Sequence, residues 1–273
     1  MRGFIGAQQA LAGAAIALFG APYDGTASFR PGTRFGPNAS RDASDGLETY
    51  SPAQDADLEQ VVFADLGDIE LGFGAAKPAI DAVREMVERI LDGGAKPFML
   101  GGEHSLTAGA FAAVREAYPD VSLVQLDAHA DLRDDYLGDP NSHACVMRRC
   151  LDLGCSLYQF GIRSGTVEEW RQMRTEQTLY HWDDFGDVLS ALSGPVYLTV
   201  DIDVFDPSIV PGTGTPEPGG IGWNQFEEAI AAIGSAQAQI VGLDVMELAP
   251  RLDLSGVSSV VAAKCVRELL LAI

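Results

Sequence analysis

Acidic and imidazole side chains in this chain collect where apolar runs end. Residues 127–139, DAHADLRDDYLGD, place five aspartates and one histidine in a single short stretch. Carboxylates this close repel one another unless a cation or solvent intervenes. Three other apolar runs end in the same way. FMLGGEHS closes on Glu103, His104 and Ser105, YLTVDIDVFDP on Asp201, Asp203 and Asp206, and VGLDVMELAP on Asp244 and Glu247. Two of the four histidines in the chain lie in these clusters. Side chains alternate in extended backbone, so Asp127, His129 and Asp131 share a face if their segment stays extended, as do Asp201 and Asp203. One dication or a pair would relieve the repulsion. A donor set of mostly carboxylate with some imidazole suits Mn²⁺ better than Zn²⁺, with Fe²⁺, Co²⁺ and Ni²⁺ also admissible.

Taken singly, these residues have plainer readings. A histidine at a strand end is commonly a surface or capping residue, and Asp203 or Asp206 alone reads equally as a helix cap. The conjunction of clusters points to metal. Asp206, before Pro207, reads as shaping a turn, and Asp244 as supporting the site or the core. His143, in NSHACVMRRC at the start of a helical stretch, reads equally as a proton shuttle and as a cap or core contact; His181 reads as structural. PGTGTPEPGG (211–220) is a tight, irregular loop able to cradle a substrate. It is not a phosphate loop, because no GK[ST] motif completes it.

The elements that must position these groups alternate. Short apolar runs at 15–21, 60–67, 96–102, 121–128, 156–162, 196–203 and 238–247 read as strands. Helical spacing appears at 80–91, 106–118, 166–174, 183–192, 224–233 and 257–271. Residues 22–58, rich in Gly, Pro and Asp, read mostly as loop with a short helix near 37–44. Such alternation predicts a parallel sheet covered on both faces, with the ligand site beyond the carboxyl ends of the strands. No linker or repeat interrupts it, so one domain over 1–273 is expected.

The 273 residues, 47% hydrophobic, suffice for a full core, and the net charge of -21 argues against a nucleic-acid partner. The N-terminal run loosely imitates a signal peptide, but Gln8 and Gln9 interrupt it and AIALFGA reads as a buried strand. No stretch is long and apolar enough to cross a membrane, and a cytoplasmic protein is expected. Cys145, Cys150, Cys155 and Cys265 lack metal-knuckle spacing and read as reduced thiols.

The motifs GGEHS, DAHAD, SHA, DIDVFDPSIVPGTGTPEPGG and DVMELAP, in this order, resemble the ureohydrolase family of arginases and agmatinases. The similarity extends to APYDGTASFRPGTRFGP (21–37) and SGVSSVVAAK (255–264), and is nearest to prokaryotic agmatinases. The resemblance implies a three-layer α/β/α sandwich around a mostly parallel sheet of about eight strands, and a binuclear Mn²⁺ centre. His104, Asp127, Asp131 and Asp201 would hold one ion, and Asp127, His129, Asp201 and Asp203 the other, with Asp127 and Asp201 bridging. It further implies hydrolysis of a guanidinium group to urea and an amine by a metal-bridging hydroxide. Glu247 would orient the guanidinium, His143 would relay a proton to the leaving amine, Asp131 would hold the hydroxide, and Thr215 would lie near the urea group. Glu103 stands where many relatives carry Asp, with little change expected. Relatives are commonly trimers or hexamers, so a homo-oligomer is expected.

Arginases carry an Asn-, Ser- and Thr-rich loop after this aspartate motif to recognise an amino acid. Here the loop is acidic, with Asp134, Asp135 and Asp139 expected as a rim suited to a cationic tail. That favours agmatine, giving putrescine and urea. Arg133 is expected to pair with a nearby Asp, but it leaves open a guanidinobutyrase, guanidinopropionase, arginase or formimino-compound hydrolase.

Overall fold

Eight parallel strands form the centre of the molecule, a computed structural model that describes residues 3–8 and 10–273. Gln9, which bears on the signal-peptide reading, lies outside the described residues. The strands are β1 (Ile16–Ala21), β4 (Phe63–Asp68), β5 (Lys96–Gly101), β6 (Ser122–Leu126), β7 (Leu157–Phe160), β8 (Leu179–Tyr180), β9 (Pro195–Asp201) and β10 (Gln239–Met246). Their order is β4-β1-β5-β10-β9-β6-β7-β8. β2 (Tyr50–Ser51) and β3 (Ala56–Asp57) make a separate antiparallel ribbon. All seven expected strands are present. β8 and the ribbon were not foreseen, because two-residue strands carry no periodicity to read.

The helices are α1 (Gly36–Ser44), α2 (Ala76–Asp92), α3 (Thr107–Ala117), α4 (Val146–Leu151), α5 (Val167–Glu176), α6 (Phe185–Ala191), α7 (Trp223–Ser235) and α8 (Val257–Ala272). Alternation along the strands divides the core between two faces. Leu18, Phe98, Leu198 and Leu243 face one way, onto α6, α7 and α8. Phe19, Met99 and Tyr197 face the other, onto α2, α3 and α4. Both faces are therefore apolar, as the continuous hydrophobic strands require. The N-terminal segment packs against β4, with Phe4 buried and the Gln8 amide donating to Phe63 O at 2.9 Å. Among the described residues no helix is long and apolar enough to cross a membrane.

The four strands ending in acid and imidazole groups, β5, β10, β9 and β6, are adjacent at the centre of the sheet and all parallel. Their carboxyl ends open on one crevice. Backbone there packs closely: a Cβ on Gly102 would lie 2.0 Å from Tyr23 O, so only glycine lets the 21–25 turn cross the end of β5.

Candidate metal centre

β6 stops at Leu126 and β9 at Asp201, and each strand gives way to a tight turn. The expectation that Asp127, His129 and Asp131 share a face of extended chain is corrected here. Asp127 Oδ1 accepts from His129 N at 2.6 Å, and Asp201 Oδ1 accepts from Asp203 N at 2.9 Å. Each aspartate bonds the backbone two residues on, folding the chain back over the strand end. Ala128 N donates to Asp203 Oδ1 at 3.1 Å and ties the two turns together. Asp131 then takes φ 54°, and Glu247, one residue past β10, takes φ 66°. Left-handed backbone costs a side-chain-bearing residue about 1–2 kcal/mol, and such residues gather at functional sites.

The six expected ligands come together. His104 Nδ1 lies 3.1 Å from Asp127 Oδ2, 3.3 Å from Asp131 Oδ2 and 3.3 Å from Asp201 Oδ2. His129 Nδ1 lies 3.0 Å from Asp203 Oδ2 and 3.6 Å from Asp127 Oδ1. Two donor groups result, His104–Asp127–Asp201 and Asp127–His129–Asp203, and Asp127 offers one oxygen to each.

A cation fits this chemistry. His104 Nδ1 is buried with no hydrogen-bond partner. Burial works against a charged His104, yet Asp127, Asp131 and Asp201 overcome it and hold the ring's pKa well above 6.5. His129 is likewise pulled down by burial but pushed up to about 12 by Asp203 and Asp127. Burial and the Asp127 charge push Asp131 up to about 6, and burial with Asp203 raises Asp201 well above the carboxylate range. Groups that compete for protons this strongly are those a dication would neutralise.

Glu247 borders the same floor. Its Oε1 accepts from His104 N at 2.7 Å, and burial together with Glu103 raises its pKa to about 8. Thr215 reaches Asp203 Oδ2 at 3.3 Å. His143 lies at the cavity wall, its amide donating to Thr26 Oγ1 at 3.0 Å and its Nε2 3.0 Å from Ser28 Oγ. Burial, then the neighbouring His129 and His104, lower its pKa to about 4. His181 is exposed and stands apart, and Asp206 binds Ser208, Gly219 and Gly220 amides as a turn former.

Above the floor is a cavity of about 260 Å³ lined in part by Asp131, Arg133, Tyr136, His143, Glu169 and Thr215. Two expectations change here. Asp134 turns outward to Arg148 at 3.4 Å and Arg149 at 3.9 Å, while Asp135 and Asp139 cap the turn through Gly138 and Asn141 amides. None of the three lines the cavity. Arg133 faces Glu169 at 3.8 Å instead of an aspartate, and stacks over Tyr136 at 4.7 Å.

Thr26 and Arg163, not singled out in the sequence, support the site, and Glu103 does so in a way its position does not show. Glu103 accepts from Thr26 N at 2.7 Å and Thr26 Oγ1 at 2.6 Å, so it holds the segment that positions His143. Arg163 donates to Asp203 O at 2.7 Å and Glu217 O at 2.8 Å, joining the Asp203 turn to the 211–220 loop. An arginine just past a strand end was the available signal.

Residues 14–272 match the family model described as "Arginase family". The chain is 44% identical over 263 residues to a protein named agmatinase from Bacillus anthracis, covering 94% of this chain and 91% of that one. It is 44% identical over 244 residues to N(1)-aminopropylagmatine ureohydrolase of Thermococcus kodakarensis, covering 85% and 82%. The crystal structure of agmatine ureohydrolase of Thermoplasma volcanium superposes with a TM-score of 0.89 at 34% identity, covering 100% of this chain and 94% of that one. The chain belongs to the arginase family.

Proposed function

We propose that this protein is an agmatinase, hydrolysing agmatine to putrescine and urea in one domain over residues 1–273. The observation that carries the reading is the pair of His/Asp groups sharing Asp127, with Glu247 fixed beside them. His104, Asp127, Asp131 and Asp201 would hold one ion, and Asp127, His129, Asp201 and Asp203 the other, with Mn²⁺ the ion we favour. When bound, such a pair supplies a water acidic enough to attack near neutral pH.

The chain's own residues do the rest. Glu247 receives the guanidinium by parallel hydrogen bonds, its carboxylate held by His104 N. Arrival of that cation offsets the burial and the Glu103 charge that favour protonated Glu247. Asp131 and Thr215 orient the attacking water and the developing urea. Addition of the water oxygen to the guanidinium carbon precedes cleavage of the bond from that carbon to the alkyl nitrogen. His143, neutral at pH 7 with its pKa near 4, accepts a proton and passes it to that nitrogen. Family resemblance adds a homo-oligomer, trimer or hexamer, in the cytoplasm.

One observation favours a second reading, a guanidino acid such as guanidinobutyrate. Among the described residues Arg133 makes no side-chain hydrogen bond, and it lines the cavity where a carboxylate tail would lie. Urea release by the Mn²⁺-loaded protein, measured side by side on agmatine, N(1)-aminopropylagmatine, arginine and 4-guanidinobutyrate, separates these substrates. Agmatine is expected to give the highest kcat/KM; preference for either acid overturns the proposal.

A further inference from the structure

Asp244, fully buried on β10, is a carboxylate with no cationic partner among the described residues. Three hydroxyls surround it. Oδ2 accepts from Tyr197 OH at 2.7 Å and Thr107 Oγ1 at 2.8 Å, and Oδ1 accepts from Thr199 Oγ1 at 2.5 Å. Thr199 is the cross-strand neighbour of Asp244 on β9, and its oxygen lies 2.8 Å from His104 Nε2. A threonine hydroxyl has one proton to give. With that proton committed to the acceptor-only carboxylate, Thr199 Oγ1 can only accept from His104, so Nε2 must carry hydrogen. The other ring nitrogen, Nδ1, is the buried atom without a hydrogen-bond partner that faces Asp127, Asp131 and Asp201.

We infer that Asp244, acting through Thr199, is a positioning residue that fixes the His104 ring with Nε2–H inward and the Nδ1 lone pair toward the cation. The inference rests on the metal-centre reading above. It separates the two halves of that centre, since the His129 ring is a quarter exposed and its Nδ1 faces only Asp127 and Asp203 among the described residues. Partners that orient a ligating imidazole are worth about 10- to 100-fold in metal affinity.

Three variants test the relay by equilibrium Mn²⁺ titration, with no reliance on turnover. Thr199→Val keeps the shape and removes the hydroxyl. Asp244→Asn can turn an amide N–H toward Thr199, which would then donate to Nε2 and reverse the polarity of the chain. Thr199→Ser restores the hydroxyl. The wild type is expected to take up two ions. In Thr199→Val and Asp244→Asn one of the two binding steps should weaken about 10- to 100-fold while the other holds within about threefold, and Thr199→Ser should recover most of the loss. Melting of the metal-free variants checks folding, and Asp244→Asn carries the test alone if Thr199→Val does not fold. Two unchanged steps, or equal loss in both, overturn the relay. A wild type that binds fewer than two ions overturns the metal-centre reading instead.

Discussion

Asp127 and Asp131 at the floor of the crevice, and Asp134, Asp135 and Asp139 at its mouth, belong to one short stretch yet end in different surroundings. The floor pair is buried, faces two imidazoles and sits where strand ends converge. The mouth aspartates are held by arginines and turn amides and leave the cavity to Arg133, Tyr136 and Glu169. The floor is fixed by the backbone of four adjacent strands, so its composition dictates its chemistry. The mouth is made by a loop and helix α5, where charge can be consumed locally before a substrate meets it. Glu169 illustrates this: both its oxygens already accept backbone amides, from Leu132 at 3.0 Å and Thr166 at 2.7 Å.

The contrast can be broken most sharply at the floor. Asp127→Ala removes the oxygen pair shared by both donor groups and is expected to abolish metal uptake and urea release together. Full metal occupancy at an unchanged rate would refute the assignment. Glu247→Gln is expected to keep the metal and lose turnover of order 10²-fold, as removal of one fixed electrostatic contact does; loss of metal instead would move Glu247 into the ligand set. Chelation of the metal should lower Tm by about 5–10 °C, since a ligand at 100 Kd contributes about 2.7 kcal/mol. An unchanged melting curve would mean that the floor carboxylates need no cation.

The mouth should respond more gently and mainly in selectivity. Arg133→Met is expected to raise the ratio of kcat/KM for agmatine over guanidinobutyrate by about 2- to 5-fold, the scale of a partly exposed charge contact. A fall in that ratio would show that Arg133 assists the cationic tail. Asp134→Asn should change agmatine kinetics by less than about twofold, because the side chain points away from the cavity. A large KM increase would restore the acidic loop as a substrate rim.

The sequence made the floor legible because residue type and strand-end placement both pointed to it. Its geometry was less so. Extended alternation predicted the shared face of Asp127, His129 and Asp131, whereas side-chain bonds to the second residue on and a left-handed Asp131 bring them together. The seven long strands declared themselves by apolar runs, while β8 and the β2–β3 ribbon were too short to do so. At the mouth, counting aspartates could not reveal which were already bonded. Arg133 found Glu169 on α5, a partner far along the chain that local spacing could not supply. Glu103, read as a neutral replacement, anchors Thr26 through its side chain.

Anomalous diffraction from crystals grown with Mn²⁺ tests the central claim most directly. Two peaks are expected on either side of Asp127, one within ligating distance of His104 Nδ1 and the other of His129 Nδ1. A single peak, or peaks away from these nitrogens, would contradict the binuclear floor on which the proposed hydrolysis depends.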